Sequence, residues 1–153
     1  MIIAAVALLL AIRASRDYAP IQALPKPEEW FNAKIARAGA EIRGANPPPG
    51  PVLTLAPTIP LSARLEVYPE FCTGAFGWRS AHLVPLERRK SLHLVAPDDL
   101  AALLEVRPPG SLLTGVEEAD EEQPLIDWAK AHAFTPVPLK KKRTLWLLRH
   151  DSR

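Results

Sequence analysis

The sequence predicts an α/β fold: a small, partly parallel sheet with helices packed on it and a C-terminal antiparallel hairpin, preceded by an apolar N-terminal helix. Short apolar runs bounded by prolines alternate with amphipathic stretches, which is typical of strands connected by helices. The last two strand-like runs are separated only by a short basic stretch, which predicts a hairpin. With 153 residues, the chain is long enough for one domain with a real core.

The N-terminal segment, residues 1–17, begins with twelve uncharged residues. A helix that spans a bilayer needs about 20 apolar residues. The run therefore predicts either the end of a longer transmembrane helix that starts upstream, or a buried helix of a soluble protein. Its lack of a polar stripe favours the first. A cleaved secretory signal fits less well, because Arg13 and Arg16 follow the apolar run instead of preceding it. One flank alone does not decide sidedness.

Residues 18–50 are expected to form a proline-interrupted linker and an amphipathic helix. Phe31, Ile35, Ala38 and Ile42 recur at helical spacing and share one face. Gly44 and the prolines after it end the helix.

Residues 51–153 are expected to form the soluble α/β domain. The predicted strands are residues 52–56, 91–96, 111–116, 134–139 and 144–150. Helices are predicted after Pro97 and over residues 124–133. Pro136 and Pro138 predict that the first hairpin arm lies at a sheet edge, because proline has no N–H to donate to a neighbouring strand.

The composition of the chain argues against several classes of binding partner and cofactor. The net charge is +2, with 19 basic and 17 acidic residues, which is too little for a nucleic-acid footprint. Cys72 is the only cysteine, so the chain can form neither an intrachain disulfide nor a cysteine zinc site, and we expect a small buried side chain there. The four histidines are scattered and no phosphate- or dinucleotide-binding loop motif occurs, so no metal and no cofactor is predicted.

Three charged groupings each have an ordinary explanation. The acidic run at 117–122 predicts a solvated loop that leads into a helix, in preference to a cation site. The basic run at 140–143 predicts a soluble hairpin turn, in preference to a lipid contact. Glu66 and Glu70 are four residues apart, a spacing that arises by chance too often to predict glycoside hydrolysis.

The most unusual segment, residues 56–79, is dense in proline, glycine and aromatic residues and predicts a structured loop. Two interpretations remain open. The aromatic side chains stack on a sugar while an arginine binds a phosphate, or the aromatic side chains fill the core. The candidate ligand-binding residues are Arg64, Tyr68, Trp78 and Arg79.

The order of three segments carries a family resemblance. VLTLAPTIPLSARLEVYPEFCTGAFGWR is followed by RPPGSLLTGVEE and EQPLIDWAKAHAF, so that APxxPL, YPE and TGxFxWR occur in sequence. This pattern, over about residues 51–150, resembles the C-terminal extracytoplasmic domain of bacterial polytopic membrane glycosyltransferases. Those enzymes are dolichyl-phosphate-mannose-protein mannosyltransferase-like and have the GT-C architecture.

The resemblance implies a parent enzyme that moves a sugar from a polyprenyl-phosphate donor on the periplasmic side of the membrane. The family's catalytic acid lies in the membrane part, so no catalytic residue is carried over and this chain alone is expected to be inactive. The implied role is a periplasmic, membrane-attached cap that meets a lipid-linked sugar or a glycan acceptor. Two rival interpretations are a stand-alone, membrane-tethered ligand- or partner-binding domain, and a small soluble enzyme, whose mark would be a pocket that gathers ionisable side chains.

Overall fold

The computed structural model of the protein describes residues 26–148. The chain divides into two compact units, residues 1–37 and 38–153. The predicted apolar helix at the N-terminus lies outside the described residues. Within residues 26–148, no helix combines the length and the apolar character that a membrane span needs.

The described part of the first unit is a short helical stretch. A single 3-10 turn, Pro27–Glu29, precedes helix α1, Phe31–Gly44. Lys26 and Glu29 form an ion pair at 3.3 Å. On the predicted apolar face of α1, Ala38 and Ile42 are buried, but Phe31 is 69% exposed, so the prediction of one packed face is wrong for its first residue.

The second unit is built around a four-stranded mixed sheet. Its strands are β1, Val52–Leu53; β2, Ser111–Thr114; β3, Phe134–Pro138; and β4, Thr144–Leu148. The strand order is β1-β2-β4-β3. Strands β1 and β2 are parallel, and the pairs β2–β4 and β3–β4 are antiparallel. The predicted α/β class, with a partly parallel sheet and a C-terminal antiparallel pair, is confirmed.

The position of β3 follows from its prolines. Strand β3 pairs with β4 alone, so it lies at one edge of the sheet, as Pro136 and Pro138 predict. Its burial pattern alternates from Phe134 onward. Strand β2, which lies between two neighbours, is buried along its whole length.

Five further helices follow within residues 45–148. They are α2, Thr58–Ser62; α3, Gly74–Ser80; α4, Leu86–Ser91; α5, Leu100–Val106; and α6, Ala119–Ala131. Single 3-10 turns occur at Pro69–Phe71, Ala81–Leu83, Pro97–Asp99 and Lys140–Lys142. The predicted loop over residues 56–79 is therefore wrong, because most of that segment forms short helical turns.

The predicted strand at residues 91–96 is also wrong. Ser91 ends helix α4, and His93 adopts a left-handed φ of 51°. The Leu94 N–H then bonds to the Arg89 carbonyl at 3.0 Å, which closes the helix end. Helix α4 is favoured by Glu87 in its first turn and basic residues in its last, since both complement the helix dipole.

Helix α6 begins five residues before the predicted start at Pro124. Asp120, Glu121 and Glu122 lie in its first turn, where negative charge stabilises a helix. Pro124 removes only one backbone donor from this helix.

Two glycines allow close packing in this unit. A Cβ at Gly39 in α1 would lie 2.1 Å from the Ser62 Oγ at the end of α2. Gly115, just after β2, has a φ of +82°, and a Cβ there would lie 2.3 Å from the Lys142 carbonyl oxygen. Substitution at either position therefore forces a neighbouring element to move.

Candidate functional site

The predicted site segment places its aromatic rings inside the domain. Tyr68, Phe71 and Trp78 are 0%, 3% and 4% exposed. The Phe71 ring links the other two: its centroid lies 6.1 Å from that of Tyr68 and 5.6 Å from that of Trp78. These rings belong to one buried cluster together with Leu53, Leu112 and Trp146 of the sheet. Phe76, by contrast, is exposed.

Tyr68 is connected to the end of α5. Its hydroxyl donates to the Arg107 carbonyl at 2.6 Å. The Arg107 guanidinium lies 5.0 Å from the centroid of the Tyr68 ring and pairs with Glu66 at 2.6 Å. Burial raises the pKa of Tyr68 well above its usual range, and the nearby Glu70 and Glu66 add to this while Arg107 opposes it. Tyr68 therefore stays neutral and bonded at ordinary pH.

Trp78 and Arg79 connect α3 to the start of α6. The Trp78 indole N–H donates to the Glu121 carbonyl at 3.1 Å. The Arg79 guanidinium donates to the Glu121 carboxylate at 2.9 Å and lies 3.8 Å from Glu117. The hydrogen bond with Glu121 raises the pKa of Arg79, and burial raises the pKa of Glu117 despite the proximity of Arg79.

Arg64 is separate from this network. It is exposed, has a left-handed φ of 58°, and follows helix α2. Tyr68 and Trp78 are joined through the Phe71 ring, and Trp78 and Arg79 through Glu121, whereas Arg64 takes part in none of these contacts. The structure thus joins three of the four candidate residues and leaves the fourth apart.

Glu122 has a structural role that its sequence context hides. Within the acidic run it was expected to be solvated, yet it is only 2% exposed, so that expectation is wrong for this residue. Its carboxylate accepts the backbone N–H groups of Gly115, Val116 and Glu117, the last two at 3.2 Å. Three backbone donors satisfy the buried charge, and the loop after β2 is thereby fixed to α6.

The basic run behaves largely as a turn, with one exception. Lys140, Lys141 and Lys142 form the connection between β3 and β4. Arg143 instead turns inward and pairs with Glu41 of α1 at 2.6 Å. Burial tends to raise the pKa of Glu41, but the Lys140 N–H and the Arg143 guanidinium outweigh it and lower that pKa below its ordinary value.

A groove lies where α4, the following turn and α5 meet, and we call it the α4–α5 groove. It has a volume of about 710 Å³. Its apolar lining residues are Leu86, Leu94, Val95, Ala102, Leu103 and Val106. Its ionisable lining residues are Glu70, Arg89, Lys90, His93 and Asp99. This size falls within the range of ordinary ligand sites.

The ionisable residues of the groove differ in how they are partnered. Arg89 donates to Asp99 at 2.6 Å and to the Val84 carbonyl at 2.8 Å. The Oε2 atom of Glu70 is buried without a hydrogen-bond partner among the described residues. Lys90 and His93 are exposed. The groove therefore gathers five ionisable side chains, the feature expected of a small soluble enzyme. Two of them, Arg89 and Asp99, neutralise each other.

A second, smaller cavity of about 270 Å³ lies beside α6, where Trp128, His132 and Phe134 line it. The Trp128 and His132 rings stack with centroids 4.0 Å apart, and the His132 Nδ1 lies 2.8 Å from the Trp128 carbonyl oxygen. This histidine is held by its own helix.

Metal-binding side chains and the single thiol are the remaining candidates for chemistry. Between residues 26 and 148, no cluster of three or more histidine, cysteine, aspartate or glutamate side chains has the geometry of a metal site. Cys72 is exposed, so the prediction that it is buried is wrong. It directly follows the 3-10 turn Pro69–Phe71, which directs Phe71 inward and leaves the next side chain at the surface.

Comparison of the chain with protein-family models, curated proteins and solved structures found no match.

Proposed function

We propose that this chain is the non-catalytic, soluble cap domain of a membrane glycosyltransferase that transfers a sugar from a polyprenyl-phosphate donor. The proposal places the domain at the membrane on the periplasmic side, where it meets a lipid-linked sugar or a glycan acceptor. It rests on the resemblance of residues 51–150 and on the part that the resembling residues take in the fold.

The observation that carries the proposal is the double connection of Trp78 and Arg79 to Glu121. Trp78 binds the backbone of that residue and Arg79 binds its side chain. Tyr68 is likewise bonded to the Arg107 carbonyl. The YPE and TGxFxWR segments therefore contribute contacts that stabilise the domain. This role is expected of a motif that is typical of a fold, since the fold alone does not determine the reaction.

The α4–α5 groove favours a second candidate function, a stand-alone ligand-binding domain tethered to the membrane. A groove with apolar walls and a few polar groups is the usual form of a binding site. Both candidates bind without catalysis, and they differ in whether the domain belongs to a polytopic enzyme.

The size and activity of the native protein separate the two candidates. Antibodies raised against residues 26–148 are used to blot native membranes and to precipitate the protein. The cap proposal predicts a species far longer than 153 residues whose precipitate transfers sugar from a polyprenyl-phosphate donor, while the purified 153-residue chain does not. A membrane-bound species of 153 residues without that activity supports the tethered binding domain. Sugar transfer by the purified chain contradicts both.

Cys72 provides a test of the proposed location. It is the only cysteine of the chain and it is exposed. A maleimide that does not cross the inner membrane should label it in intact cells if the domain is periplasmic. The Cys72→Ser variant gives the background. Labelling that appears only after the inner membrane is opened contradicts a periplasmic location.

A further inference from the structure

We propose that the α4–α5 groove binds one anionic phospholipid of the membrane, with an acyl chain against its apolar walls and the phosphate at Lys90. The inference stands on the groove itself and does not depend on the proposed function. It commits to a membrane phospholipid and not to a soluble phosphate or a protein partner.

The apolar walls suit an acyl chain. Leu86 and Val106 line the groove yet are 57% and 86% exposed. Leu83 and Leu92, on the same segment of chain, are 75% and 51% exposed. Single exposed apolar side chains scattered over a surface are ordinary, but a group of them beside a groove is typical of an interaction surface.

The charge on α4 selects an anion. The helix carries Arg88, Arg89 and Lys90 against the single acid Glu87. Because Arg89 is paired with Asp99, the excess positive charge resides on Arg88 and Lys90, both exposed. Leu86 in this helix, Leu83 before it and Leu92 after it are exposed, and exposed leucines beside basic residues are the pattern of a segment that lies at an anionic membrane surface.

Glu70 indicates what the head group must carry. Its buried Oε2 lines the groove without a hydrogen-bond partner among the described residues, and a buried acceptor gains from a donor. A phosphate alone offers no donor when it is fully ionised. A head group with hydroxyls, such as the glycerol of phosphatidylglycerol, supplies both the anion for Lys90 and a donor for Glu70.

The test uses the full 153-residue chain reconstituted in phosphatidylcholine vesicles with or without phosphatidylglycerol. A photoreactive benzoylphenylalanine replaces Val106, which lines the groove, and in a matched control it replaces Leu61, which is exposed on α2 outside the groove. After irradiation, the mass of the adduct identifies what was bound. We expect a phosphatidylglycerol adduct at position 106, at least about fivefold above phosphatidylcholine at equal content, the factor that one basic residue contributes near an anionic membrane.

Charge and competition complete the experiment. Lys90→Gln should reduce the phosphatidylglycerol adduct by about fivefold, whereas Lys130→Gln, an exposed lysine of α6, should leave it unchanged. Soluble short-chain phosphatidylglycerol should compete, and inorganic phosphate at the same concentration should not. Equal labelling of the two lipids, a protein adduct in place of a lipid adduct, or equal competition by inorganic phosphate would each overturn the proposal.

Discussion

The Glu122 carboxylate accepts the backbone N–H of Val116 at 3.2 Å, in the loop that follows β2. The same carboxylate also bonds the amides on either side of Val116. One buried side chain in the first turn of α6 thus orients three consecutive amides. The junction between the sheet and α6 depends on it, and so does the position of Glu121, which holds Trp78 and Arg79.

Removal of the Glu122 carboxylate should therefore loosen this junction. We expect Glu122→Ala to lower the free energy of unfolding by about 3 kcal/mol, because hydrogen bonds to charged groups are lost and partly buried donors are left without a partner. Urea unfolding measures the change. Glu118→Gln, an exposed neighbour, is the control and should fall within about 0.5 kcal/mol of the parent. Equal effects of the two variants would rule out the structural role of Glu122.

The contact between Trp146 and Thr114 holds β4 to β2. The Trp146 indole N–H donates to the buried Thr114 Oγ1 at 2.9 Å. Thr114→Val keeps the shape of the side chain but leaves the indole N–H without its acceptor, so we expect a loss of about 2 kcal/mol in the free energy of unfolding. Thr58→Val, at an exposed position, is the matched control. An unchanged urea midpoint in Thr114→Val would show that this bond does not contribute to stability.

The Tyr68 hydroxyl should remain protonated at pH values well above those at which an exposed tyrosine ionises. Its pKa is raised by burial from an ordinary value of 10.0. Since the unfolded chain loses this proton first, the stability that Tyr68 contributes is complete below pH 10.0 and declines as the pH rises further. In an alkaline absorbance titration, the difference between the parent and Tyr68→Phe isolates this group. We expect this difference to appear only as the protein unfolds. A difference centred near the ordinary value would mean that the Tyr68 ring is accessible to water.

The pair of Glu41 and Arg143 should make stability fall in acid. The pKa of Glu41 lies below its ordinary value of 4.5, so its contribution is present above that pH and is lost as the pH falls. We expect Glu41→Gln to cost about 1 kcal/mol in the free energy of unfolding at pH 7, with the difference vanishing in acid. Urea unfolding at several pH values measures it, with Glu87→Gln on exposed α4 as the control. A cost that persists unchanged in acid would exclude the ion pair as its cause.

The sequence predicts those elements that have a strong local signal. Strands β2, β3 and β4 are apolar runs bounded by turn residues, and Pro136 and Pro138 place β3 at the edge. Helices as short as α2 and α3 repeat too few times to show a helical period, so residues 56–79 resemble a loop. Leu92 and Leu94 follow the end of α4 and alternate with polar residues, so this stretch of sequence resembles a strand.

The site was harder to predict, because it depends on tertiary contacts. Burial of Tyr68 and Trp78 was one of two interpretations, and only packing against the sheet distinguishes them. The α4–α5 groove is lined by Glu70 and by side chains from residues 86–106, which are distant from it in the sequence. Part of that lining comes from residues 93–95, which the sequence predicts to lie in a strand. Glu122 is hidden by its acidic neighbours, since nothing local distinguishes the buried carboxylate from the exposed ones.

Hydrogen–deuterium exchange of the full chain in vesicles separates two roles, in which the Tyr68, Phe71 and Trp78 rings fill the core while the α4–α5 groove binds phospholipid. Exchange is compared with and without phosphatidylglycerol in the vesicles. Binding in the groove should slow exchange of the backbone amides at residues 86–106 when phosphatidylglycerol is present, and should leave exchange unchanged at residues 72–79, which do not line the groove. Protection confined to residues 64–79 would contradict it and return the binding role to Arg64 and Arg79.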